Sequence, residues 1–203
     1  MLLCSLALGC VLLQTITVTQ PRILDFTPDE DGFLRNWLVL APLPLAPAQR
    51  GAVGLKKAGL PQEANLTPRP GEKVQNLAWK PYPAQDSYLD FNEFLGQDTD
   101  DCIAYAVCYL WLDKEARQLQ LKMGSDDQAK VYLNGVAVLQ SEQPRALVKD
   151  QDAAQSITLR QGRNVLIFKV VNEKGDFTGA IRFLDKAGQP FRNYKIGLTP
   201  VRE

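Results

Sequence analysis

Residues 129–133 and 136–139 are short, largely apolar segments joined by Asn134-Gly135. Both central positions of a type I′ turn need positive φ, and Asn-Gly meets that need better than almost any other pair. An antiparallel hairpin is therefore predicted here. The same pattern recurs along the C-terminal half of the chain. Residues 103–112 are apolar throughout and residues 118–123 alternate. Residues 156–159, 165–171, 179–185 and 194–198 read as further strands, separated by Gln161-Gly162-Arg163-Asn164 and by a turn at 185–188. Short strands with a reversal every 8–12 residues predict an all-β protein, an antiparallel β-sandwich of jelly-roll type.

The N-terminal half is less regular. Residues 33–40 predict a first core strand, ended by Ala41-Pro42-Leu43-Pro44. A long Pro/Gly-rich loop follows over 42–72, with six prolines and four glycines that work against regular pairing. A loop of this length is expected to be a functional insertion or mobile. Lys56-Lys57-Ala58-Gly59 and residues 88–96 are each expected to hold one helical turn. Trp79-Lys80-Pro81-Tyr82-Pro83 reads as an edge segment, because proline cannot donate to a central ladder. With 203 residues and no internal repeat, residues 21–203 are read as one sandwich domain.

Composition narrows function by exclusion. Lys+Arg and Asp+Glu both number 23, so the net charge that drives nucleic-acid binding is missing. Histidine is absent, which removes Ser-His-Asp and Cys-His catalysis and His-ligated zinc. No glycine-rich phosphate loop or dinucleotide fingerprint is present. Residues 1–13 are apolar but too short to span a bilayer, which needs about 20 such residues. Residues 1–20 are read as a secretory signal, and Leu6-Ala7-Leu8-Gly9-Cys10 as a candidate lipoprotein box with Cys10 as anchor. A secreted, periplasmic or cell-envelope location follows. A buried N-terminal strand over 15–19 is the open alternative. Cys102 and Cys108 are expected to be buried thiols, since one extended strand would hold them about 20 Å apart.

Certain residues carry a resemblance. Ala104-Tyr105-Ala106, Gly124-Ser125-Asp126-Asp127, Lys130-Val131-Tyr132-Leu133-Asn134-Gly135, Leu159-Arg160-Gln161-Gly162-Arg163-Asn164 and Phe168-Lys169-Val170-Val171-Asn172 occur in this order. Together with Trp37-Leu38-Val39-Leu40-Ala41-Pro42 they resemble the galactose-binding-like superfamily. The type is the glycoside-hydrolase sugar-binding-like jelly roll of exported bacterial proteins. The likeness covers roughly residues 33–200, with a poor match over 43–78. It implies a non-catalytic module with carbohydrate as a candidate partner. In related PA14-type sugar-binding domains a similarly placed Asp-Asp can ligate Ca²⁺, which would make Asp126 and Asp127 candidate calcium ligands.

Each candidate has a plainer alternative. Calcium wants six to eight oxygens, so a second cluster from Asp98, Asp100, Asp101, Asp113, Asp150 or Asp152 would be needed. Without one, Ser125-Asp126-Asp127 is a turn held by Asx-type bonds. In residues 103–112 the odd positions are largely aromatic and the even ones small or aliphatic. The aromatic face is either a sugar platform or is buried under the 42–72 loop. Trp111 near the strand end, with Trp79 and Tyr82 exposed at the sandwich edge or rim, are the candidate ligand-binding rings; the alternative for Trp79 is that it pins the long loop to the core. Lys169 is expected to be solvated or salt-bridged, and no catalytic residue is nominated. A protein-interaction or structural module among other envelope proteins, touching through the 42–72 loop, is the alternative function.

Overall fold

A computed structural model of the protein describes residues 25–201. The expectations for the signal segment, for Cys10 and for a strand over 15–19 fall outside the described residues. In chain order the strands are β1 (Asn36–Pro44), β2 (Lys73–Val74), β3 (Leu77–Ala78), β4 (Lys80–Pro83), β5 (Leu89–Asp90) and β6 (Cys102–Leu112). They continue with β7 (Ala116–Asp126), β8 (Gln128–Leu133), β9 (Val136–Ser141), β10 (Asp152–Leu159), β11 (Gly162–Asn172), β12 (Thr178–Leu184) and β13 (Lys195–Gly197). Two five-residue helices, α1 (Ala52–Lys56) and α2 (Phe91–Leu95), interrupt them.

The strands form an antiparallel sandwich, as the turn spacing predicts. The large sheet runs β4-β1-β6-β11-β8-β9, and the small sheet runs β10-β7-β12-β5. β1 pairs with one half of β6, from Cys102 to Val107, and β13 with the other, from Tyr109 to Trp111. β6 and β11 stay in register over their full length. Asn134 and Gly135 both have positive φ and join β8 to β9 as expected.

β1 differs from expectation by running on through Pro42 to Pro44. A bulge between Leu40 and Leu43 takes up the first proline, and pairing resumes at Leu43 opposite Ile103. β4, with its two prolines, lies at the sheet edge, where a missing amide costs little. Asp90 caps α2 by accepting from the Glu93 amide, and Gly96 ends it in the left-handed region.

The period of two along β6 sorts its side chains into two separate cores. Ala104, Ala106, Cys108 and Leu110 face the small sheet and join Trp37, Phe168, Phe177 and Phe183 between the layers. Ile103, Tyr105, Val107 and Tyr109 face outward, yet they too are buried. What covers them is the segment between β1 and β4, through Leu55, Leu60 and Trp79. The expected long loop is thus a packed lid. Each fully buried large apolar side chain contributes roughly 1.5–3 kcal/mol to holding it. Gly59 allows the close approach, because a Cβ there would lie 2.5 Å from the Tyr105 hydroxyl.

A polar knot sits at the centre of this second core. Lys169 projects from β11 with its side chain 0% exposed. Its ammonium donates to the carbonyls of Leu55 and Lys57 at 3.1 and 2.7 Å, and to Glu63 Oε2 at 3.1 Å. Glu63 also accepts from the hydroxyls of Tyr105 and Tyr132, both at 2.5 Å, and from the Gly59 amide at 3.0 Å. Burial pushes the Glu63 carboxyl up, but the two phenols, Lys169 and the Gly59 amide outweigh it and hold it below 4.5. Burial also pulls Lys169 below 10.5 against the opposing charge of Glu63. Of the two sequence readings of Lys169, the salt bridge is the observed one and the solvated side chain is not.

A buried charge left without its partner is strongly destabilising. Lys169→Met is expected to cost about 3–5 kcal/mol in denaturant unfolding. It should also expose the segment between β1 and β4 to limited proteolysis before the rest of the chain. Adding Glu63→Gln to that variant should recover much of the loss, because no unpaired charge then stays buried. Because its folded pKa is depressed, Glu63 contributes stability that is present above pH 4.5 and is lost as pH falls below it.

Candidate functional site

The three candidate rings have different fates. Trp79 is 2% exposed and lies under the lid, against the outer face of the large sheet. Tyr82 is 9% exposed, donates its hydroxyl to Glu93 at 2.6 Å and packs edge-on against Phe94. The expectation that these two stand exposed at a rim is corrected, since neither offers a ring face to a ligand; for Trp79 the alternative, a ring that pins the lid to the core, is the observed one. An edge strand still has one face turned to the core, and Tyr82 occupies that face. Tyr105 and Tyr109 are buried as well, the latter donating to the Pro68 carbonyl at 2.7 Å.

Trp111 alone of the three is half-buried, at the far end of β6. Its indole lies over β13, where Gly197 leaves room: a Cβ at that position would sit 3.1 Å from Trp111 Nε1. The ring forms one wall of a groove of about 580 Å³. Phe191 and Tyr194, stacked at 5.8 Å, continue the apolar wall. Asp113, Asn193, Arg192 and Lys195 bring polar groups to the same groove. The sequence signalled Trp111 but gave no sign of the partners from residues 191–195, which only the return of β13 beside β6 supplies.

Asp126 and Asp127 lie where the chain leaves β7 in the small sheet and enters β8 in the large one. They form a corner between layers and not the start of a hairpin. Nor are their bonds local Asx contacts. Asp127 accepts from the amides of Arg145 and Glu173, both at 2.9 Å, fastening two distant loops to the corner. Ser125 Oγ donates to the Asp127 carbonyl at 2.7 Å. Asp126 accepts from the Leu147 amide. Burial, then the charges of Asp127 and Asp176, push its carboxyl up to about 6 from 3.8.

Several of the acids that could complete a calcium shell are engaged elsewhere. Asp152 pairs with Arg145, Asp150 with Arg182, and Asp101 with Arg50 at 2.7 Å. Asp100 accepts from the Gly175 amide and Asp113 lines the Trp111 groove. Asp98, with Asp90 and Asp176, borders a polar depression of about 390 Å³ that is also lined by Leu147 and by Thr178, the strand partner of Asp126. Among the described residues no three Asp, Glu, Cys or His side chains are grouped to hold a metal ion. Calcium usually takes six to eight oxygens, more than Asp126 and Asp127 supply by themselves.

Cys102 and Cys108 are free and buried; burial pushes the Cys102 thiol up to about 11 and Cys108 higher than its ordinary value. Both are therefore poor nucleophiles at neutral pH.

No family model and no curated protein sequence matches this chain. Among solved structures it is similar to a PA14 sugar-binding domain from an RTX adhesin, at 14% identity, covering 82% of this chain and 98% of that one, with a TM-score of 0.40. The PA14 domain of the MpAFP antifreeze protein gives 11%, 88%, 98% and 0.40. The GH31 alpha-xylosidase (Xac1773) of Xanthomonas citri gives 12% and 0.32, with 86% of this chain against 19% of that one. The first two of these structures carry the PA14 description in their names. At such scores function has to be sought in the chain's own groups.

The corner carboxylates generate a prediction with a defined sign. A carboxyl whose folded pKa is raised contributes stability that is full below 3.8 and lost as pH rises through about 6. Asp126→Asn keeps an acceptor for Leu147 and removes the charge. It should therefore stabilise the protein at pH 7.5 by roughly 1–3 kcal/mol and leave it unchanged at pH 3. Chemical denaturation at the two pH values measures this. A calcium-dependent rise in melting temperature that the variant abolishes would show instead that the pair binds the ion.

Proposed function

We propose that the protein is a non-catalytic carbohydrate-binding module of an exported protein, with the Trp111 groove as its binding site. One observation supports this above others: a half-buried indole walls a groove that also presents an amide, a carboxylate and cationic groups. Sugar rings have apolar C–H faces that pack on aromatic rings, and hydroxyl rims that hydrogen-bond to such polar groups. The carboxylates at the groove support a binding role over hydrolysis. Asp113 and Glu115 come from one turn, whereas a glycosidase pair flanks the scissile bond from two sides. Glu115 is further tied to Arg117.

The envelope-interaction alternative has less to stand on. The exposed large apolar side chains among the described residues are Val53, Val136, Val148 and Val201, on four separate segments. The lid that was to be its contact surface spends its larger apolar groups inward. No helix of the described residues is long and apolar enough to cross a membrane.

The chain carries a built-in reporter. Trp37 is 0% and Trp79 2% exposed, so a ligand-induced change in indole emission must arise at Trp111. Titration with polysaccharides of varied composition should quench or blue-shift that emission. Trp111→Ala should remove both the signal and about tenfold or more of the affinity by calorimetry, in a protein whose melting transition stays cooperative even if its midpoint falls. Binding that survives the substitution intact would place the site elsewhere and defeat the reading.

A further inference from the structure

We infer that the Trp111 groove selects an anionic polysaccharide, one that carries carboxylate or sulfate groups; this rests on the sugar-binding reading above. The register across three strands is the first observation. Trp111 on β6 pairs with Lys195 on β13 at one side and with Arg163 on β11 at the other. Directly paired residues project from the same face of a sheet. The indole is therefore flanked by an ammonium and a guanidinium in one row. Two strand spacings separate the outer pair, about 10 Å between their Cα atoms.

Charge in the groove is the second observation. Lys114, Arg192 and Lys195 line it, and none of them forms an ion pair among the described residues. Glu115 is held by Arg117, which leaves Asp113 as the one unpaired acid lining it among those residues. In a chain whose formal charge is zero, this excess of cations is local. A neutral sugar has no use for it. A guanidinium or ammonium beside a stacking ring is what a uronate or a sulfate ester would be held by.

Continuity is the third. Arg163 lies beside Trp111 on the side away from Lys195, and with Arg160 it lines a second depression of about 250 Å³ that Asn134 also borders. Its Nη1 donates to the Pro200 carbonyl at 2.6 Å, which fixes the arm and leaves further N–H groups free. Cationic groups thus lie along a path from one depression past the indole to the next. A polymer with repeated negative charges meets that path better than a single free sugar does.

The test is affinity electrophoresis and calorimetry of the full chain with dextran, dextran sulfate and polygalacturonate, and with a single-stranded DNA oligonucleotide as polyanion control. Dextran and dextran sulfate share a backbone, so they isolate the charge; polygalacturonate separates carboxylate from sulfate preference. The expected result is retention by at least one acidic polymer, at least about tenfold weaker binding of dextran, and a loss of affinity with added salt. Lys195→Gln and Arg163→Gln should each weaken the acidic polymer about two- to fivefold, and Trp111→Ala about tenfold. Lys195 is exposed, so its variant keeps the fold, and equal melting temperatures establish that. Dextran bound as tightly as dextran sulfate would overturn the charge selection while leaving the carbohydrate reading intact. No retention by any polysaccharide would overturn both. Acidic-polymer binding that ignores Trp111→Ala and Lys195→Gln, or that DNA matches, would show general polyanion attraction and overturn the inference.

Discussion

The ion pair between Glu63 and Lys169 is the constraint on which the arrangement of this protein turns. It is buried, it joins residues more than a hundred positions apart, and it lies between a regular strand and an irregular segment. A lysine in the middle of β11 would otherwise have to find water through the aromatic outer face of the large sheet. Instead the segment between β1 and β4 folds over it and supplies two backbone carbonyls and a carboxylate. Tyr105 and Tyr132 then satisfy the remaining acceptor capacity of Glu63. Such a knot stabilises little in net terms, since desolvation offsets most of its Coulomb energy. Its effect is on specificity, because any other placement of the lid leaves a charge unpaired.

With the lid fixed, the outer face of β6 is divided in two. Tyr105 and Tyr109 are committed to the second core, and only Trp111, beyond the reach of the lid, keeps contact with solvent. The same strand thus provides a core and a candidate binding surface, and the edge of the lid decides which residue serves which. β13 completes the groove by pairing with the part of β6 that β1 leaves open. Phe191 and Tyr194 arrive with it.

The corner at Asp126-Asp127 works in a different way. A sandwich needs its chain to pass between layers, and the amides of the connecting loops have no ladder to join there. Asp127 accepts from two of them. Asp126 bears the electrostatic cost of being close to it. Fastening a corner and holding a metal ion both call for oxygen acceptors at a reversal, so the sequence pattern alone does not separate the two roles.

The sequence alone determined the sandwich. Alternation and turn residues are local properties, and they located β6 to β12, the Asn134-Gly135 hairpin, the helical turn at α2 and the two-faced character of β6. It also determined what chemistry is missing, since the absence of histidine does not depend on folding. Three things were settled only by tertiary structure. Proline spacing marked residues 42–72 as irregular, but their packing against β6 follows from contacts with residues far along the chain, which no local pattern encodes. The burial of Trp79 and Tyr82 is decided in the same way, because an extended Pro-rich segment can be exposed or covered until the surface it crosses is known. The partners of Trp111, from residues 191–195, could not be read from periodicity, because they are brought there by the pairing of β13 with β6. Short-range sterics write strands and turns into the sequence. A groove is made by long-range pairing, and its members are neighbours only after the sheets have formed.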